Sequence, residues 1–171
     1  MPEEIEKTLF KATLVFLVKD GRVLLAKKTR KIGKDKWNGY GGGIEEGETV
    51  LQCAVREFKD ESGVIIDPAD LQKVAEVTFH NTKGDGTKFS CLVHVFLAER
   101  WVGEAEESEE MATPTWFPTN QLPVKEMMPA DPFWVPLVLM GKKVRGEAHY
   151  GPAQAELLQP VKIEEVSGFN Q

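Results

Sequence analysis

This 171-residue sequence predicts an α/β fold in which helices are layered on a mixed central sheet. Three observations lead there. Apolar runs of strand length recur between Gly- and Asp-rich turns. One intervening segment, Glu48 to Ser62, switches to helical periodicity. A second, beginning near Asp131-Pro132, carries a helix-start signature late in the chain. Strands interleaved with helices favour layers around one shared sheet.

Taken in order, "KATLVFLVKDGRVLLAKK" reads as two strands joined at Asp20-Gly21, a strong hairpin signal. "RKIGKDKWNGYGGG" reads as a basic, Gly-rich loop without clear periodicity. In the helix that follows, Leu51, Ala54, Val55 and Phe58 share one side, and Gly63 stands at the stop position. "LQKVAEVTFH" and "FSCLVHVFLAE" are strands flanking the turn-rich "NTKGDGTK". "GEAEESEE" is by default a solvated loop, and "TPTWFP" a short strand closed by Pro118. "ADPFWVPLVLMGKK" is expected to be a helix with Asp131 at the N-cap and Pro132 at N1, kinked or delayed by Pro136. "KVRGEAHYG" and "AELLQPVKIEEV" supply two further strands around Gly151-Pro152. Without repeats, low-complexity tracts or a linker, the whole chain, 1–171, is expected to be a single domain.

Composition narrows the class. A hydrophobic fraction of 42% with 28% charged residues is that of a soluble globular chain. No apolar run approaches the roughly 20 residues that cross a bilayer, and "MPEEIEKTLF" has no secretory h-region. The net charge of −6 disfavours long nucleic acids as partners but not a small polyanion met through a metal ion. Cys53 and Cys91 form no CxxC pair, so two free thiols and a cytoplasmic location are expected.

Chemistry concentrates in "REFKDESGV". Glu57, Asp60 and Glu61 stand at i, i+3 and i+4, so their carboxylates share a helix face and repel one another. A solvated charged face is the bland explanation. The alternative is a site for a hard divalent cation, Mg²⁺ or Mn²⁺, which takes oxygen ligands. Gly41, Gly42 and Gly43 allow close backbone approach before the helix, and Arg56 is placed to hold either Glu48 or Glu57.

The spacing then becomes specific. From Gly42, five residues lead to Glu48 and seven more to Arg56-Glu57, with Phe58, Asp60, Glu61, Gly63 and Val64 completing a pattern that closely resembles the Nudix box. Asp60 departs from it, standing where the family has Glu. "WNGYGGGIEEGE", "LVHVF", "EEM" before "WFP", and "MMPADPFWVPLVL" extend the likeness to the oxidised-purine nucleoside triphosphatases. That resemblance implies the Nudix α/β/α sandwich and Mg²⁺-dependent hydrolysis of a purine nucleoside triphosphate, of the 8-oxo-dGTP type, to monophosphate and pyrophosphate. It further implies catalytic roles for Arg56, Glu57 and Glu61. Metal ligands would be the Gly41 carbonyl, Glu57, Asp60, Glu61 and Glu110, with Glu107 and Glu109 as competitors for the last place. Thr13, Lys28, Asn38, Gly41, Gly42, Gly43, Met128 and Asp131 would meet substrate. A monomer acting on free nucleotides is expected.

Two departures bear on specificity: Ala130-Asp131 replaces an Asp pair, and Met128 replaces a Trp beside the base. With no second carboxylate to share a proton, Asp131 is expected to be ionised at neutral pH and to favour guanine-type edges. Trp37, Trp116 and Trp134 are expected to pack, with Trp134 a candidate for the pocket border; His94 is expected in the core or at an edge. Alternatives are a Nudix hydrolase of dGTP, a dinucleotide or a nucleotide sugar, and a nucleotide-sensing module without turnover.

Overall fold

The computed structural model describes residues 8–169, so most of the acidic N-terminal segment read above, residues 1–7, lies outside the described residues. Strand β1 (Lys11–Lys19) shows why the fold has three layers. Its side chains alternate between faces, as a pleated strand requires. Val15 and Leu17 enter one core with Leu24 and Ala26 of β2 (Arg22–Lys28), Tyr40, Ala54 and Phe58. Phe16 enters the other with Val23, Leu25, Trp134, Val135 and Val138. Each core is closed by one helix: α1 (Val50–Ser62) on the first side and α2 (Asp131–Leu139) on the second.

Among the described residues nine strands form one mixed sheet. The β1–β2 hairpin turns at Asp20-Gly21, both with positive φ (52° and 74°), as a two-residue turn of this kind demands. The segment read as a structureless Gly-rich loop contains two short strands, β3 (Trp37–Asn38) and β4 (Tyr40–Gly43). Glycine weakens a strand's own propensity, so only tertiary pairing reveals β4, antiparallel to β1 with Gly42 opposite Thr13. β5 (Gln72–Thr82) and β6 (Lys88–Ala98) form the second hairpin, and β6 runs parallel to β1. β7 (Met111–Pro118) begins earlier than "TPTWFP" and pairs with β2. β8 (Lys143–Pro152) runs parallel to β5, and β9 (Lys162–Val166) pairs antiparallel with β8.

Helix α1 is closed at both ends. Thr49 Oγ1 accepts from the Gln52 N–H (3.1 Å), the Gln52 side chain accepts from the Thr49 N–H (2.9 Å), and Gly63 ends the helix at φ 81°. Helix α2 corrects the sequence reading by one position. Ala130 is the N-cap and Asp131 is already the first helical residue, so Asp131 is not a capping side chain; the helix starts there and runs through Pro136. Trp116 is 38% exposed and stacks on Trp101 at the surface instead of packing inside, whereas Trp37 and Trp134 are buried. No helix among the described residues is long and apolar enough to cross a membrane.

Candidate active site

Strand β4 lies between β1 and helix α1, and two of its three glycines set how closely it meets each. A Cβ on Gly41 would fall 1.8 Å from the Thr13 carbonyl oxygen, so no other residue fits the β1–β4 pairing there. A Cβ on Gly42 would fall 2.6 Å from the Glu57 carboxylate. Bare backbone at Gly42 is what allows Glu57 to seat against the strand. One helical turn on, Glu61 Oε1 accepts from the Gly41 N–H at 3.1 Å.

Arg56 holds both of its candidate partners. Nε and Nη2 donate to the two oxygens of Glu48 (2.6 and 2.9 Å), and Nη1 donates to Glu57 (2.8 Å). Nη2 also reaches the Gly43 carbonyl at 3.3 Å, tying the glycine strand to the helix. The paired fork on Glu48 pushes that carboxyl down to about 2.

At Glu57 and Glu61 burial outweighs the positive charge nearby. Burial pushes the Glu57 carboxyl up, against the opposing pull of Arg56. Burial, then the negative charges of Glu57 and Glu110, push Glu61 up to about 8. Glu110 is thus the residue of the acidic run whose charge is felt at the helix, and it bonds Arg30 at 3.0 Å. Glu107 instead accepts from the Thr113 N–H at 3.0 Å, and Glu109 offers its backbone carbonyl to Thr29. Asp60 is 64% exposed and 3.8 Å from Arg56. Among the described residues no three His, Cys, Asp or Glu side chains stand in ready coordinating geometry, since Glu57 is turned onto Arg56 and Glu110 onto Arg30. The chemistry of the donor set nevertheless fits a hard divalent cation: clustered, partly buried carboxylate oxygens, among which burial and like charge push the Glu61 carboxyl up.

Beside this cluster opens a cavity of about 860 Å³, lined among others by Thr13, Lys28, Asn38, Gly42, Met128 and Asp131. Gly42 is the bridge, bordering the cavity and touching Glu57. Gly41 and Gly43 are not part of the lining; they serve the carboxylates and Arg56. Asn38 lines the cavity, and its Oδ1 accepts from the Gly39 N–H at 2.8 Å, as its turn reading expects. Met128 is buried, and Trp134 does border the cavity.

Asp131 overturns a sequence expectation. It is 5% exposed, and burial pushes its carboxyl up to about 7 against the pull of a Met128 backbone bond and of the nearby Trp134 N–H. Against the expectation of an ionised Asp131, desolvation alone raises its proton affinity, with no second carboxylate beside it. The cavity also contains residues that sequence reasoning missed: Phe79, Asn81, Tyr150 and Gln154. Alternation along β5 signals that Phe79 and Asn81 share a face; nothing local signals that the face meets a ligand cavity.

The profile of the Nudix domain matches residues 8–138. The chain is 38% identical over 157 residues to the oxidized purine nucleoside triphosphate hydrolase of Mus musculus, covering 92% of this chain and 96% of that protein. It is 41% identical over 134 residues to the protein of the same name from Danio rerio, covering 78% of this chain and 82% of that one. Its fold superimposes on the mutator MutT protein of Bacillus halodurans with a TM-score of 0.74 at 24% identity, over 91% of this chain and 98% of the other. The domain match over residues 8–138 and the identity to these relatives place the chain in one family: it belongs to the Nudix domain family.

Proposed function

We propose that this protein is a divalent-metal-dependent pyrophosphohydrolase that converts oxidised purine nucleoside triphosphates to monophosphate and pyrophosphate, clearing them from the nucleotide pool. The observation that carries the proposal is the junction at Gly42, where a cavity large enough for a purine nucleotide meets the carboxylate cluster of helix α1. The names of the mouse and zebrafish relatives support the substrate class.

In this reading the single domain holds base and phosphates in adjoining places. Glu57, Asp60, Glu61, Glu110 and the Gly41 carbonyl hold the metal, Mg²⁺ or Mn²⁺. When bound, such an ion neutralises phosphate charge and makes water a stronger nucleophile. Arg56 grips Glu48 and Glu57 together and so restricts the orientations open to the Glu57 carboxylate. Glu61, the second catalytic carboxylate of this reading, is held against the glycine strand by the Gly41 N–H. Lys28 contributes charge at the phosphate side of the cavity, and Thr13 supports the floor through Cys53 (Oγ1 to Sγ, 3.3 Å). Asn38 and Asp131 contact the purine edge, and Met128 covers its face. The same reading has the protein act as a monomer on free nucleotides in the cytoplasm, where its buried, unpaired Cys53 and Cys91 remain reduced.

Pyrophosphate release from 8-oxo-dGTP, 2-hydroxy-dATP, dGTP and dATP, with Mg²⁺ and with chelator, tests the proposal. Mg²⁺-dependent turnover with higher kcat/KM for an oxidised purine is expected. Tight nucleotide binding without product release would leave a sensing module instead, and higher efficiency on dGTP would move the function to unmodified purines.

A further inference from the structure

The cavity carries a polar feature that the roles above do not use. Along β5 the core-facing side chains are Ala75, Val77 and Phe79, and the next one is Asn81, 7% exposed. A buried amide in an apolar row needs partners. Asn81 Nδ2 donates to the Phe79 carbonyl (3.3 Å), and its Oδ1 accepts from Gln154 Nε2 (2.9 Å).

Gln154 is brought there at some cost to the backbone. The β5–β8 register slips between His80 and Thr82, a bulge that sets Thr82 opposite Pro152. The chain then turns with Ala153 and Gln154 both left-handed, at φ 58° and 53°, although neither is glycine. Left-handed backbone is unfavourable for residues with a Cβ, and such strain persists where the surrounding structure imposes it. Here the result is a second polar side chain on the cavity wall beside Asn81.

The unused capacity of this pair is specific. Gln154 spends one N–H on Asn81 and keeps a second N–H and its Oε1. A carboxamide with both groups open matches a lactam edge, N–H beside C=O. An 8-oxopurine has that edge at N7–H and C8=O; an unmodified purine offers there an N7 lone pair and a C8–H. We propose that the Asn81–Gln154 amide pair reads the N7–H/C8=O edge of 8-oxopurine nucleotides, a specificity contact separate from Asn38 and Asp131. Gln154 Nε2 donates to the C8 oxygen and Oε1 accepts from N7–H. With an unmodified purine, Oε1 faces the N7 lone pair, so selection includes a repulsive element as well as an attractive one.

The inference rests on the proposed hydrolysis of oxidised purines only for its turnover readout, so binding is measured alongside. Calorimetry of 8-oxo-dGMP and dGMP, and kcat/KM for 8-oxo-dGTP, dGTP, 8-oxo-dATP, dATP and 2-hydroxy-dATP, are compared in the parent, Gln154→Ala and Gln154→Glu proteins. The parent is expected to bind 8-oxo-dGMP more tightly than dGMP. Both variants are expected to lose about ten- to hundred-fold of the 8-oxo preference, by similar factors in the guanine and adenine series. The 2-hydroxy-dATP to dATP ratio, which concerns another edge, keeps its parental value. Equal binding of the two monophosphates by the parent, or unchanged 8-oxo preference in both variants, overturns the inference. A parent that releases no pyrophosphate yet shows the binding preference, erased in Gln154→Ala, refutes hydrolysis while upholding the contact.

Discussion

Replacing Glu61 by Gln probes the carboxylate cluster without changing its shape. The side chain is 8% exposed and its carboxyl is pushed up to about 8 by burial and by the charges of Glu57 and Glu110. A raised acid pKa means that the folded protein keeps a proton that the unfolded chain, titrating near its ordinary value, gives up first. Below about pH 4.5 both states are protonated and nothing is lost. As pH rises from there to about 8, the folded state becomes progressively less favoured. The cost is under about 1 kcal/mol at pH 5 and about 3 kcal/mol at pH 7.

Gln carries no charge and its carbonyl can still accept from the Gly41 N–H, so the variant escapes this cost. In chelator at pH 7 it is expected to melt roughly 5–10 °C above the parent, with the difference shrinking toward pH 5. Added Mg²⁺ is expected to stabilise the parent by mass action and the variant much less. Turnover is expected to fall by orders of magnitude. Scanning calorimetry across pH, with and without Mg²⁺, reads all of this. A variant no more stable than the parent at pH 8 in chelator would show that Glu61 carries no unbalanced charge.

Arg56→Lys removes the fork that grips Glu48 and Glu57, so kcat should drop in the pyrophosphate assay. The Glu48 pair stabilises above the ordinary carboxylate range and fades as pH falls toward about 2, so circular dichroism of the Lys variant should show acid unfolding at a higher pH. Gly42→Ala places a Cβ 2.6 Å from the Glu57 carboxylate, the mobile end of a side chain, so turnover should fall at least about 100-fold with only a small change in melting temperature. A normal kcat in this variant would show that the seat of Glu57 is not needed. Asp131, pushed up to about 7, is expected to act increasingly as a donor below that pH and as an acceptor above it. The kcat/KM ratio of 8-oxo-dGTP to 2-hydroxy-dATP should therefore rise from pH 6 to pH 8 and flatten in Asp131→Asn; a flat parental profile would remove Asp131 from base recognition.

The residues that were legible in the sequence and those that were not differ in how their neighbours are arranged. Glu57, Asp60 and Glu61 are neighbours because a helix makes them so, and Gly42, Glu48 and Arg56 join them through one capped turn. Chemistry held in one short segment leaves a spacing that can be read directly. Strand β4 was missed because glycines disguise a strand whose pairing partner, β1, comes from elsewhere in the chain.

The proposed selectivity residues have no such local frame. Asn81 and Gln154 are 73 positions apart and meet only because β8 lies beside β5 and slips by a bulge at its end. Asp131 was misread for the same reason: its proton affinity is set by how deeply α2 buries it, and not by Ala130 beside it in sequence. Burial and long-range pairing belong to the folded state alone. If the proposed base contacts hold, a change at Asn81, Asp131 or Gln154 redirects which purine is accepted while leaving the helix spacing untouched, and two chains with the same acidic stripe then differ in substrate for reasons that only their sheet topology reveals.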